Sequence, residues 1–256
     1  MHDDLPAVEP WPDSEMLSAE KELIGFYISG HPLAEYEWTL KTFALQKIGE
    51  LADVQVAAGD DEQKTYVRVG GLVDKYKKVF TKPKKPEDSP KPYARFRLEG
   101  LEAAVNAVVW PDDFQRFEKL LEDGNPLMAG GRITRDFRDE LEIQVSEIFP
   151  LASAPGLFAE KLSLHLPETA LSPAKLAAIK KIAAEHPGQT PLNLCVLLDS
   201  GEKVFIKADR SSQVTASPEL VQKLEHLLGE DAVYVGARSQ PFLREPPRRR
   251  FNGKRS

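Results

Sequence analysis

A single cysteine, Cys195, stands in the 256 residues, which excludes an internal disulfide and a cysteine-rich zinc site and fits a reducing compartment. No apolar run reaches membrane-spanning length, and the start Met1-His2-Asp3-Asp4 is acidic where a secretory signal would be basic and then apolar. The expected location is the cytoplasm, with no membrane partner. The chain also lacks the Gly-x-x-x-x-Gly-Lys-Ser/Thr phosphate cradle and any His-x-x-x-His pair able to hold zinc on a helix. Paired acids are poorly placed to hold two divalent ions: Asp60-Asp61 falls in a linker-like stretch, and Asp112-Asp113 follows Pro111, where acids favour the positive end of a helix. No catalytic residue, cofactor or metal is therefore expected. Nor is positive charge in excess. With 34 Lys and Arg against 40 Asp and Glu the net charge is −6, so nucleic acid would have to be held by local patches rather than a basic coat.

What is present divides along the chain by hydrophobic period. Residues 1–12 are acidic and Pro-containing and read as linker. Leu17, Ile24 and Ile28, with Met16, Leu23 and Tyr27 beside them, repeat at helical spacing, and Gly30 is the expected left-handed stop. Pro32 can open a second short helix to about residue 42, and the acidic, Ala/Gly-rich segment 53–62 closes this lead-in. From residue 65 the period becomes two. Val67, Val69 and Val73 oppose Arg68 and Asp74, with Gly70-Gly71 as a candidate bulge; Ala94, Phe96 and Leu98 oppose Tyr93, Arg95 and Arg97. Val105, Ala107 and Val109 make a third strand ending at Trp110, which is assigned to the core. Pro111 opens a helix carrying Phe114, Phe117, Leu120 and Leu121, and strands at 127–135 and 141–148 follow. Three strands, a helix and two strands is the order of the OB-fold, a five-stranded Greek-key barrel, although alternation alone does not choose a barrel over a sandwich.

The remainder repeats a pattern. Leu162, Leu164 and Leu166 alternate before Ser172-Pro173 opens a helix with Leu176, Ile179 and Ile182; Val204, Ile206 and Ala208 alternate before Ser217-Pro218 opens one with Leu220, Val221, Leu224 and Leu228. Each Ser-Pro pair sets a capping hydroxyl before a proline at the first helical position. Strands at 192–198 and 232–237 complete a βαββαβ order. The expected architecture is thus mixed β and α+β: a linker and helical lead-in (1–62), an OB-fold barrel (63–152), a small βαββαβ domain (153–240) and a disordered basic tail (241–256).

Binding single-stranded nucleic acid needs cations near phosphates and rings on which bases stack. The first hairpin interleaves both, as Lys75, Tyr76, Lys77, Lys78, Phe80 and Lys82, and its Pro-rich loop adds Lys84, Lys85 and Lys91. Tyr93, Arg95 and Arg97 share one face of the next strand, and Arg132, Arg135 and Arg138 lie near the last hairpin. Lysine-rich hairpins also serve merely as soluble edge protection, and Tyr76 or Phe80 could pack in the barrel. His31 is expected to shape its turn, and Cys195 to pack as a small apolar residue.

The segment Glu20-Lys21-Glu22-Leu23-Ile24-Gly25-Phe26-Tyr27-Ile28-Ser29-Gly30-His31-Pro32-Leu33, with the Trp11-Pro12 lead-in and Ala104-Val105-Asn106-Ala107-Val108-Val109-Trp110-Pro111, resembles the C-terminal part of the bacterial DNA polymerase III alpha subunit. The resemblance implies a barrel that binds single-stranded template DNA and a terminal domain that binds the clamp-loader subunit of the polymerase holoenzyme. The family's polymerase active site and phosphoesterase-like domain lie upstream of this segment, so the resemblance implies an enzyme only for a full-length DNA-directed DNA polymerase. The family's sliding-clamp motif, a short Gln-led apolar peptide ahead of the Trp11 region, is not intact here, and Gln222-Lys223-Leu224-Glu225-His226 imitates it poorly on an amphipathic helix. Sliding-clamp binding is therefore not carried over. Two other readings remain open: a stand-alone OB-fold single-stranded nucleic-acid-binding protein, and an adaptor that binds protein but not DNA.

Overall fold

The computed structural model describes residues 13–25, 27–54, 66–83, 85, 88–136 and 138–240. Trp11-Pro12, Phe26, Lys84, most of the acidic linker and the basic tail lie outside them. The chain opens with α1 (Asp13–Ile24) and α2 (Glu37–Phe43). Strands β1 (Tyr66–Phe80), β2 (Pro92–Glu99) and β3 (Ala104–Val109) precede α3 (Pro111–Phe117), and β4 (Pro126–Arg135) and β5 (Leu141–Pro150) follow it. After α4 (Ala154–Phe158) come β6 (Ala159–Pro167), α5 (Pro173–Glu185), β7 (Pro187–Thr190), β8 (Leu192–Leu197), β9 (Lys203–Lys207), α6 (Pro218–Leu228) and β10 (Val233–Ala237).

The first five strands close as β1-β2-β3-β5-β4, with β3 and β5 parallel and the other pairs antiparallel. This is the five-stranded OB-fold barrel that the strand order leads one to expect. Its interior takes the apolar member of each alternating pair: Val67, Val69 and Val73, then Ala94, Phe96 and Leu98, then Val105, Ala107 and Val109. Phe114 and Phe117 from α3 complete that core. Pro111 occupies the first turn of α3, where its missing N–H costs no hydrogen bond.

The glycine pair Gly70-Gly71 behaves differently from expectation. The β1–β4 register runs through it unbroken, and the bulge in β1 falls between Asp74 and Lys77, with Lys75 in the left-handed region at φ 54°. The glycines instead permit close approach: a Cβ on Gly70 would lie 2.2 Å from Leu40 Cδ2, and one on Gly71 2.7 Å from the Glu99 carbonyl oxygen.

The second sheet has the order β10-β6-β8-β9, so the chain realises the βαββαβ order with the short β7 added. Leu162, Leu164 and Leu166 face Ile179 and Ala183 of α5 and Leu220, Val221 and Leu224 of α6 in its core. Both Ser-Pro caps form, Ser172 Oγ accepting from the Lys175 N–H and Ser217 Oγ from the Leu220 N–H, each at 3.2 Å. A third cluster, including Leu33, Phe43, Leu72, Met128, Leu151 and Phe158, packs the lead-in and α4 against the outside of the barrel.

Three further expectations are corrected. The first helix ends at Gly25, whose φ is 89°, and not at Gly30; the Glu20 carboxylate, rather than a longer helix, organises the chain beyond by accepting from the Ile28 and Ser29 N–H groups. The apolar side of that segment is only partly buried: Tyr27 packs against the third cluster, whereas Leu23 is 84% and Ile28 63% exposed. Arg68 does not reach solvent opposite the valines. Burial of the lead-in and the terminal strand over β1 encloses it, and it donates to the carbonyls of Phe43 (2.8 Å), Gln240 (2.7 Å) and Arg238 (2.6 Å).

Candidate nucleic-acid interface

Strand register fixes which side chains share the outer wall. Residues directly opposite one another in a ladder point to the same face. One row girdles the barrel as Lys77, Arg95, Val108, Gln144 and Arg132, and the next as Asp74, Arg97, Asn106, Glu142 and Thr134. The first row is cationic and the second mixed. The wall is therefore a basic band bordered by carboxylates, consistent with the acidic net charge of the chain.

Arg95 bridges the two rows. Its Nη2 donates to Glu142 Oε1 at 2.6 Å, and Glu142 is only 7% exposed at its side chain. The hydrogen bond to Glu142 raises the Arg95 pKa, so the guanidinium stays charged with a carboxylate already beside it. Arg97 is exposed on the same wall, opposite Asp74 and Asn106.

Tyr93 lies on this face as well, and its ring stacks on Trp110 with centroids 5.4 Å apart and planes 25° from parallel. Trp110 is thus not a core residue. It is half-buried where β3 passes into α3, and the prolyl turn at Pro111 holds the indole outside the barrel. Sequence reasoning placed it in the core at the end of β3. The available signal was the alternation itself, since Val105, Ala107 and Val109 point inward and the next residue must point out.

The first hairpin divides between two faces. Lys77 joins the outer wall. Lys78 and Phe80 take the opposite side: Lys78 Nζ donates to Glu118 Oε1 at 2.6 Å and lies 5.5 Å from the centre of the Phe114 ring, on the side of α3, and Phe80 is exposed. The Glu118 hydrogen bond raises the Lys78 pKa. Tyr76 packs against the barrel core, and burial pushes its phenol pKa up. Its backbone N–H donates to Asp123 Oδ1 at 2.8 Å, which fixes the bulge. Lys75, Lys82, Lys85 and Lys91 are exposed on the hairpin and its loop.

Near the last hairpin Arg132 is half-buried in the cationic row, whereas Arg135 turns to its own loop, donating to the Asp139 carbonyl at 2.7 Å. Arg138 is exposed on that turn. The structure therefore gathers Lys77, Tyr93, Arg95, Arg97 and Arg132 with Trp110 on one wall, and places Tyr76, Lys78, Phe80 and Arg135 elsewhere. No cluster of His, Cys, Asp and Glu able to hold a metal occurs among the described residues, and no helix among them is long and apolar enough to cross a membrane.

Fold and wall together define a class: residues 67–151 match the family described as the OB-fold nucleic acid binding domain. The particular resemblance reaches further along the chain. It is 26% identical over 223 residues to the DNA polymerase III subunit alpha of Mycobacterium tuberculosis and 25% identical over 229 residues to that of Halalkalibacterium halodurans, covering 86% and 89% of this chain. The matches span only 18% and 19% of those relatives, so the chain corresponds to about a fifth of their length. Among solved structures, the second single-stranded DNA-binding protein of Mycobacterium smegmatis overlays 34% of this chain and 84% of its own with a TM-score of 0.29 and 16% identity.

Proposed function

We propose that this chain is the C-terminal, non-catalytic segment of a replicative DNA polymerase III alpha subunit, and that its barrel binds single-stranded template DNA during replication. The observation that carries the reading is the Tyr93–Trp110 stack beside Lys77, Arg95 and Arg97 on one wall of an OB-fold barrel. The stack presents π-faces to bases, and the cations flank it where a backbone would run. The hairpin residues Lys75, Lys78, Phe80 and Lys82 would extend contact beyond the wall. Similarity to the polymerase subunits over most of the chain supports the replicative setting. In this reading polymerase chemistry belongs to a longer protein, residues 153–240 act as a domain that binds the clamp-loader subunit, and the setting is the cytoplasm.

A segment reading is favoured over a stand-alone binder by the exposed Leu23, Ile24 and Ile28, an apolar surface suited to packing against further protein. The decisive experiment is titration of the 256-residue chain with oligothymidylate at two salt concentrations. Contact with about four phosphates predicts a log–log slope near −3, from about −0.7 per contact on single strands. Absence of binding at low salt would reject the DNA role and leave the adaptor.

A further inference from the structure

The second sheet carries helices on one face only. Leu162, Leu164 and Leu166 of β6 turn toward α5 and α6, so the alternate residues of all four strands turn to the other side. Register aligns His165 of β6 with Cys195 of β8 and Phe205 of β9 in one row across the sheet. The Tyr234 ring of β10 lies 4.4 Å from His165, centroid to centroid. Tyr234 pairs with Ser163 in the neighbouring row; Phe205 is 70% and Tyr234 49% exposed, so a ring on each outer strand is open to solvent while Cys195 between them is buried.

Charge on this face departs from that of the chain. Its strand positions include Lys161, Lys203 and Lys207 and no Asp or Glu, although acids outnumber bases overall. Lys203 and Lys207 lie on either side of Phe205, each about 7 Å along the strand at about 3.4 Å per residue. Lys161 runs over Gly236, where a Cβ would lie 2.8 Å from its Cγ. The neighbouring acids Asp199 and Glu202 belong to the β8–β9 turn.

Self-association fits poorly. A second copy pairing antiparallel about Phe205 would set Lys203 opposite Lys207 of the copy on the same face, a like-charge contact that disfavours the pair. A sheet face without acids at its strand positions, with exposed rings beside lysines, suits a polyanion with stackable bases. We infer that the open face of β10-β6-β8-β9 is a second binding surface for single-stranded nucleic acid, with Phe205 and Tyr234 stacking bases and Lys161, Lys203 and Lys207 meeting phosphates. This surface stands apart from the barrel wall and does not depend on it.

The test uses the whole chain and oligothymidylate, with two readouts. Ultraviolet cross-linking followed by peptide mapping should place cross-links on peptides containing Phe205 or Tyr234. The pair Phe205→Ala and Tyr234→Ala should weaken binding at least about fivefold, and Lys203→Ala with Lys207→Ala should make the salt slope shallower by about 1.4. All four side chains are exposed, and an unchanged melting curve checks that the variants fold. Failure of either readout overturns the inference. If only barrel variants such as Trp110→Ala lose binding, the barrel reading survives alone; if only the terminal variants do, the barrel reading falls. Normal DNA binding with loss of clamp-loader capture would make the face a protein-docking surface and equally overturn the inference.

Discussion

The guanidinium of Arg68 lies 4.1 Å from the centre of the Phe158 ring. Arg68 comes from the first barrel strand and Phe158 from the short helix that leaves the barrel, and the carbonyls bound by Arg68 belong to the lead-in and to the segment after β10. One side chain thus ties three parts of the chain together. Burial lowers its pKa to about 10, which leaves it charged at neutral pH, with carbonyl dipoles and a ring face in place of water.

Arg68→Met should cost more than its loss of charge suggests. The Phe43 carbonyl would be left buried without a donor, at about 1–3 kcal/mol, and those of Arg238 and Gln240, only part-buried, would lose theirs at less, partly offset by relief of the burial of a cation. A net loss of about 2 kcal/mol in denaturant unfolding is expected. A variant as stable as the wild type would show that these bonds contribute little.

Trp110→Ala and Tyr93→Ala should each weaken oligothymidylate binding by roughly 5- to 100-fold, in line with about 1–3 kcal/mol per stacked base, with an unchanged salt slope. Quenching of tryptophan fluorescence on binding, lost in Trp110→Ala, supplies an independent readout. Affinity that survives both substitutions would remove the stack from the site.

Arg95 and Arg97 should separate experimentally. Arg97→Ala should make the salt slope shallower by about 0.7 with little effect on stability. Arg95→Ala leaves Glu142 buried without the partner it holds at 2.6 Å, so it should lower the melting temperature as well. Thermal melts beside the titrations would reveal the contrast, and identical behaviour of the two variants would contradict it.

Gly131→Ala should destabilise the barrel, because its Cβ would lie 2.4 Å from the Gln144 carbonyl oxygen, a backbone atom that cannot swing aside. The expected cost is about 1–3 kcal/mol, the usual range for overpacking. Gly156→Ala, where a Cβ would meet nothing within 4 Å, serves as the control.

The turn after α1 should be acid-sensitive. Hydrogen bonds from the Ser29 hydroxyl, the Ser29 N–H and the Ile28 N–H hold the Glu20 pKa below its ordinary 4.5. A carboxyl lowered in the folded state adds stability fully above that ordinary value, and the contribution is lost as pH falls through the folded value. The protection of the Ile28 and Ser29 amides, as exchange rates divided by the intrinsic rate at each pH, should therefore fall as the pH is lowered below 4.5. In Glu20→Gln that protection should be low already at neutral pH and change less on acidification.

Much of this was legible beforehand because strands with one buried face must alternate, and helices entered at Ser-Pro announce their first turn. Val67, Phe96 and Ala107 could be placed on the buried face of their strands from their neighbours alone. The binding wall was legible only in part. Tyr93, Arg95 and Arg97 share a face by simple alternation, whereas which of Lys77 and Lys78 joins it depends on the bulge between Asp74 and Lys77, where the Tyr76 N–H donates to Asp123 from a distant segment. The sequence pointed to Gly30 as the helix stop; the structure ends the helix at Gly25, with Glu20 capturing the backbone beyond it.

The sequence by itself determined the order of elements, the period of each and the side of each strand that is apolar, since all of these follow from local geometry and the free energy of removing apolar surface from water. Tertiary structure alone decided that Arg68 is buried, that the Trp110 ring stacks on Tyr93 and that Arg95 is answered by Glu142. Those outcomes depend on which segments meet across long chain separations, and a side chain's partners there are set by the closure of the barrel and the docking of the terminal strand rather than by its neighbours in sequence.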